Sequence, residues 1–274
     1  MIYFYLVASA ALIPILNNFY NILRQPNSWW LIPVLYILFV VLFIVLHLAF
    51  VALCVLFVNL NKDGRRFSKF YRILANATLP LLFKLARIKV HTKGLEKVPS
   101  DTRFLLVCNH IHNFDPAVII HELPDAELGF IAKKEVYTDL RFIAKFMHKL
   151  NCLPIDRENN REAVKTIVKA VSLIKNDIAS VGIFPEGYTS KDGNLQPLRN
   201  GALKIAFKAN VPIVVCTIDG TTKIVKNMFR RRTDVYLDIV DVIDTKEFEN
   251  SNTSEIGNKV YDLMKESLNN RKNI

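Results

Sequence analysis

Charged side chains are missing from residues 1–23 of this 274-residue chain, and missing again from Trp29 to Leu60. Stretches so long without charge exclude an ordinary solvated surface for the first sixty residues. The second run is 32 residues, with His47 the one strongly polar side chain near its middle. As a helix it would reach about 48 Å at 1.5 Å per residue, against a hydrocarbon core of roughly 30 Å, so the spacing predicts a transmembrane helix. The first run has neither the basic leader nor the small-residue cleavage site of a signal peptide. It is expected to be a first membrane helix that forms a hairpin with the second, with Trp29 and Trp30 at the interface.

Acidic residues are the next shortage. Across residues 61–98 ten basic side chains face only Asp63 and Glu96, a net +8 out of the chain's +11, while the loop between the apolar runs offers only Arg24. By the positive-inside rule everything after residue 60 is expected on the cytoplasmic side of the cell membrane. In "FYRILANATLPLLFKLARI" (70–88), Arg72, Lys84 and Arg87 are interleaved with apolar residues, which suits helices lying in an anionic interface. A solvated basic face is the plainer alternative. No nucleic-acid reading motif accompanies the charge, so no nucleic-acid partner is expected. The four cysteines (Cys54, Cys108, Cys152, Cys216) stand far apart with no CxxC pair, which excludes a disulfide framework and a zinc site of that spacing.

Internal repeats and low-complexity tracts are absent too. From about residue 99 short β-rich runs alternate with amphipathic stretches. Strands are expected at 103–108, 128–132, 152–155, 181–185, 212–218 and 235–241, and helices at 139–150, 160–176, 200–209 and 253–269. That alternation predicts an α/β domain with a mixed, largely parallel sheet flanked by helices. Three parts follow: membrane-spanning helices over 1–60, basic interfacial helices over 61–98, and an α/β domain over 99–274.

In open α/β sheets ligands gather beyond the carboxyl ends of strands. Two polar clusters fall there, "NHIHNFD" at 109–115 and "FPEGYTSKDG" at 184–193. His110 and Asp115 would diverge by about 140° on a helix and face opposite ways on a strand, so they meet only if the segment turns. Asp115 before Pro116 suggests that turn, with Asp115 as the N-cap of a following helix. A carboxylate beside His110 would fix its tautomer and stabilise its imidazolium. Two other readings stand: a helix cap beside an ordinary loop histidine, and a metal held by His110, His112 and His121, for which ligand spacing and carboxylates are wanting.

With both clusters in view the chain resembles the 1-acylglycerol-3-phosphate acyltransferase family. "NHIHNFD" is similar to its NHx4D signature. "IAKKEV" (131–136) with "LPIDR" (153–157) resembles the second block, "FPEG" (184–187) the third and "VPIVVCTI" (211–218) the fourth. The resemblance implies that His110 is a general base oriented by Asp115, that Glu186 and Gly187 hold the acceptor's hydroxyl or glycerol end, and that Lys133 and Arg157 meet its phosphate. It implies acyl transfer from acyl-CoA or acyl carrier protein to the hydroxyl of lysophosphatidic acid, with the bilayer as partner and neither metal nor cofactor. Glycerol 3-phosphate or another lysophospholipid as acceptor, and a silent lipid-binding member, are the rivals. Plainer readings leave Lys133 and Lys134 as surface charges and pair Arg157 with Asp156 or Glu158. One departure stands out. Where the family continues Thr-Arg-Ser, this chain has Tyr188, Thr189 and Ser190, so either Lys191 or Arg199 compensates for the missing cation or the acceptor's head group is less charged or larger than glycerol phosphate.

Overall fold

The computed structural model of the chain describes residues 1–20, 28–62, 68–190, 194–248 and 251–272; Arg24, Asp63, Arg65, Arg66 and Lys191 lie outside the described residues. Two compact units result, Met1–Val58 and Asn59–Ile274.

In the first unit, helix α1 (Ile2–Tyr20) pairs with α2 (Leu31–Leu56). The seam is made by Tyr5, whose ring stacks on Phe43 at 6.1 Å and leans on His47 at 6.0 Å. Beneath it, buried Ser9 donates its hydroxyl hydrogen to the Tyr5 carbonyl. Trp29 and Trp30 are exposed in the short turn before α2. Together the turn and α2, Ser28–Leu56, make 29 residues long and apolar enough to cross a membrane.

The second unit is a seven-stranded sheet. Its strands are β1 (Ile88–Lys93), β2 (Leu105–Cys108), β3 (Gly129–Lys133), β4 (Leu153–Ile155), β5 (Val181–Ile183), β6 (Ile213–Asp219) and β7 (Thr233–Ile243), in the spatial order β1-β7-β6-β2-β5-β3-β4. Every pairing is parallel except β6 with β7. The helices are α3 (Ser68–Leu85), α4 (Asp115–Glu122), α5 (Lys134–Asp139), α6 (Arg141–Lys149), α7 (Asn160–Lys175), α8 (Lys204–Ala209), α9 (Ile224–Asn227) and α10 (Thr253–Lys272). One set of alternating sheet side chains (Leu105, Val107, Ile131, Val181, Ile213, Val215) packs with Ile174 of α7, Ile205 of α8 and Val260 of α10. The alternate set, including Leu106, Phe130 and Val214, is buried as well, as a largely parallel sheet requires.

The six expected strands are present, and a seventh corrects the expectation that the sheet begins at 103. Residues 88–93, read as interfacial, form edge strand β1 paired with β7. Its polar sequence "IKVHTK" suits an edge, where charge discourages further pairing. Helix α3 is likewise built into the domain. Arg72, expected to face the membrane, is buried and donates to the carbonyls of Glu127 (2.8 Å), Leu128 (3.1 Å) and Leu150 (3.2 Å). A boundary at 98 therefore does not divide the structure. The expected helix 139–150 is α6, while α5, which ends at Asp139 just before it, was not expected, and residues 200–203 form a 3₁₀ turn ahead of α8. Strand β4 tolerates Pro154 because it is the other edge.

Candidate active site

Strands β2, β5 and β6 end side by side, and the polar clusters leave the sheet there. Asn109 ends β2 by replacing the backbone ladder with its side chain. Its Nδ2 donates to the Ile218 carbonyl at 3.0 Å and its Oδ1 accepts from the Ile218 amide at 2.8 Å. Freed from the ladder, the chain turns at His110. The His110 amide donates to Glu186 Oε1 at 2.7 Å, and its carbonyl accepts from the Ser190 amide at 2.8 Å. Its ring lies on Phe184, centroids 4.2 Å apart, and Phe184 stacks in turn on Phe130. Backbone and ring are thus both fixed.

Asp115 departs from one expectation. It is the first residue of α4, with Phe114 in the cap position, and its carboxylate turns back into the loop rather than capping the helix. Oδ2 accepts from the amides of Ile111 and His112, both at 2.8 Å, and lies 2.9 Å from His110 Nδ1. Oδ1 accepts from the Thr221 hydroxyl at 2.5 Å. The carboxylate has 0% exposure, so four donors replace its water. A carboxylate only accepts, so this pattern assigns the proton to Nδ1 and leaves Nε2 with its lone pair. The arrangement can take a proton at Nε2 and steady the resulting imidazolium.

Glu186 is 1% exposed, and its second oxygen accepts from the Gln196 amide at 2.9 Å. Burial pushes its carboxyl above the usual range, and the hydrogen bonds from the His110 and Gln196 amides pull the other way. Both oxygens are committed to backbone amides. Through these two bonds Glu186 clamps the His110 loop. Next along, Gly187 has φ +82°, and a Cβ there would come within 2.8 Å of Arg199 Nε. Its carbonyl accepts from Arg157 Nη1. Two guanidinium groups therefore converge on one turn. The Arg157 guanidinium is held below its ordinary value by burial first, then by the charge of Arg199. Both border a cavity of about 430 Å³ whose wall includes Ile131, Val164 and Phe184. Lys133 does not join them: it is 3.7 Å from Glu135 and largely exposed. Asp156 is taken by Lys134 at 2.6 Å, not by Arg157.

Comparisons with known proteins point to one family. An Acyltransferase family model matches residues 88–219. The 1-acyl-sn-glycerol-3-phosphate acyltransferase of Bacillus subtilis is 31% identical over 163 residues, covering 59% of this chain and 76% of that protein. That of Borreliella burgdorferi is 27% identical over 189 residues, 67% and 74% of the two chains. The crystal structure of the 1-acyl-sn-glycerophosphate (LPA) acyltransferase PlsC from Thermotoga maritima superposes with a TM-score of 0.60 at 26% identity, over 82% of this chain and 88% of that one. The chain belongs to the 1-acyl-sn-glycerol-3-phosphate acyltransferase family.

As a member of the acyltransferase family it departs at 188–190, where Tyr188 is half-exposed and its hydroxyl donates to Gln196 Oε1 at 3.2 Å. The histidines of the metal reading are engaged separately. His112 stacks on Phe114, and His121 meets the edge of Phe83. No group of three or more His, Cys, Asp or Glu gathers among the described residues. Sequence reasoning missed Asn109, Thr221, Phe184 and the Gln196 amide. Asn109 carried a signal, a buried-type strand ending on an amide side chain. Thr221 lies 106 positions from Asp115 and carried none.

Proposed function

We propose that this chain is a membrane-bound O-acyltransferase that moves a fatty acyl group from an acyl thioester, acyl-CoA or acyl carrier protein, to the free hydroxyl of lysophosphatidic acid, giving phosphatidic acid. The observation that carries this reading is the Asp115 carboxylate 2.9 Å from His110 Nδ1, with no described residue hydrogen-bonded to Nε2. Nε2 takes the hydroxyl proton as the alkoxide forms its bond to the thioester carbonyl. The carbon–sulfur bond then breaks, and the leaving thiolate takes the proton back from the imidazolium. No group of the protein becomes acylated, and no cofactor beyond the donor takes part. Arg157 and Arg199 hold the acceptor's phosphate, since planar guanidinium pairs match it. Helix α2 crosses the membrane, and the basic charge after it keeps the α/β unit on the cytoplasmic side. Relatives named for the same acceptor support the choice of lysophosphatidic acid.

The altered 188–190 turn favours one second reading, an acceptor with a different head group. Assaying purified protein with a panel of lysolipids and both donor types decides between them. With lysophosphatidic acid as acceptor, Thr189→Arg should lower its KM or leave it unchanged. A steep loss of activity in a well-folded Thr189→Arg protein would mean that this pocket is shaped for another head group.

A further inference from the structure

Beyond β6 the chain builds a knuckle, a short helix and turn, that no part of the acyl-transfer chemistry uses. It stands between buried Ile224 and buried Thr233. The Asn227 carbonyl closes it by accepting from the amides of Arg230 and Arg231, both at 2.9 Å. Phe229 sits at the tip with φ +63°, a left-handed backbone that a bulky residue rarely adopts. Phe229 is 71% exposed, and Val225, four residues earlier, is 60% exposed. Outliers of this kind cluster where a surface has work to do.

The charge around the tip is of one sign. Residues 223–234 carry Lys223, Lys226, Arg230, Arg231 and Arg232 against Asp234 alone. Asp234 is already taken, 2.7 Å from His91 and 3.0 Å from Arg232. The end of α3 joins the same surface. Arg87 donates to the Arg230 carbonyl at 3.1 Å, and its own carbonyl accepts from the Thr233 amide. Leu82, Lys84 and Lys89 are exposed nearby in sequence.

We propose that this knuckle docks on the anionic face of a bilayer, with Phe229 and Val225 entering the headgroup boundary and Arg230 and Arg231 meeting lipid phosphates. Exposed apolar side chains in a turn whose charge is almost all cationic suit an anionic lipid surface. The position gives the contact a use. The knuckle springs from the strand end where Ile218 holds Asn109 and Thr221 holds Asp115. Docking there sets the mouth of the site against the surface from which a lipid acceptor leaves. The inference concerns depth in the bilayer, so it stands or falls apart from the identity of the acceptor.

The test uses the full chain with Trp29 and Trp30 changed to Phe and Phe229→Trp as the sole tryptophan, reconstituted in phosphatidylglycerol or phosphatidylcholine vesicles. In phosphatidylglycerol its emission should shift to the blue and be quenched by lipids brominated near the top of the acyl chain. Arg230→Gln with Arg231→Gln should restore the red, unquenched emission, and phosphatidylcholine vesicles should do the same. Emission that stays red and unquenched in phosphatidylglycerol overturns the proposal. So does a blue shift that appears only when an acidic carrier protein is added, because the occupant would then be that protein.

Discussion

Asp115 shows how much of the site depends on single side chains. A carboxylate with no exposure and four donors costs a great deal to bury unless each donor stays. Thr221→Val keeps the shape and removes one of them. Loss of a hydrogen bond to a charged group is worth about 1.5–3 kcal/mol, so thermal unfolding should come correspondingly earlier, and activity should fall with it. An unchanged melting temperature would mean that Thr221 does not carry this bond. Glu186 allows a sharper choice. If it clamps the His110 loop, Glu186→Gln places an amide hydrogen against a backbone N–H and shifts the base. A misplacement near 1 Å costs on the order of 10²-fold in rate, so kcat should drop while the acceptor's KM stays near its original value. A raised KM at constant kcat would return Glu186 to acceptor binding. The pairing of His110 with Asp115 was legible because both lie in one short turn. The role of Glu186 was not, because its partners are backbone amides, which look the same at every position of a sequence.

At the scale of elements, short continuous apolar runs marked the inner strands, since those have two buried faces. Strand β1 escaped because Lys89, His91 and Lys93 line an edge, where one side of the ladder meets solvent. Helix α3 was misjudged for a related reason. A run of basic residues says nothing of which one turns inward, and Arg72 does. Its three carbonyl bonds tie α3 to the turns before β3 and after α6. Arg72→Leu should cost roughly 3 kcal/mol or more, because buried acceptors lose their partner. Chemical denaturation of the variant checks this. A stability equal to that of the parent chain would mean that α3 only rests at the surface, as the sequence alone suggested.

At the scale of the whole molecule, the apolar first unit and the basic α/β unit have different solvents written into their composition. The uncharged runs were plain in the sequence, as was the sign of the charge after them. The fold joins residues 109–115, 184–190, Gln196 and Thr221, which no spacing rule connects. The central claim is that this assembly makes His110 a general base. It is tested most directly by comparing turnover of purified His110→Ala with that of the parent chain, using lysophosphatidic acid and an acyl thioester, followed by the intact mass of the quenched parent enzyme. General base catalysis contributes about 10²- to 10⁴-fold, so a loss of at least about a hundredfold is expected, with folding intact and no acyl group on the protein. Near-normal turnover in His110→Ala, or an acylated parent chain, would contradict it.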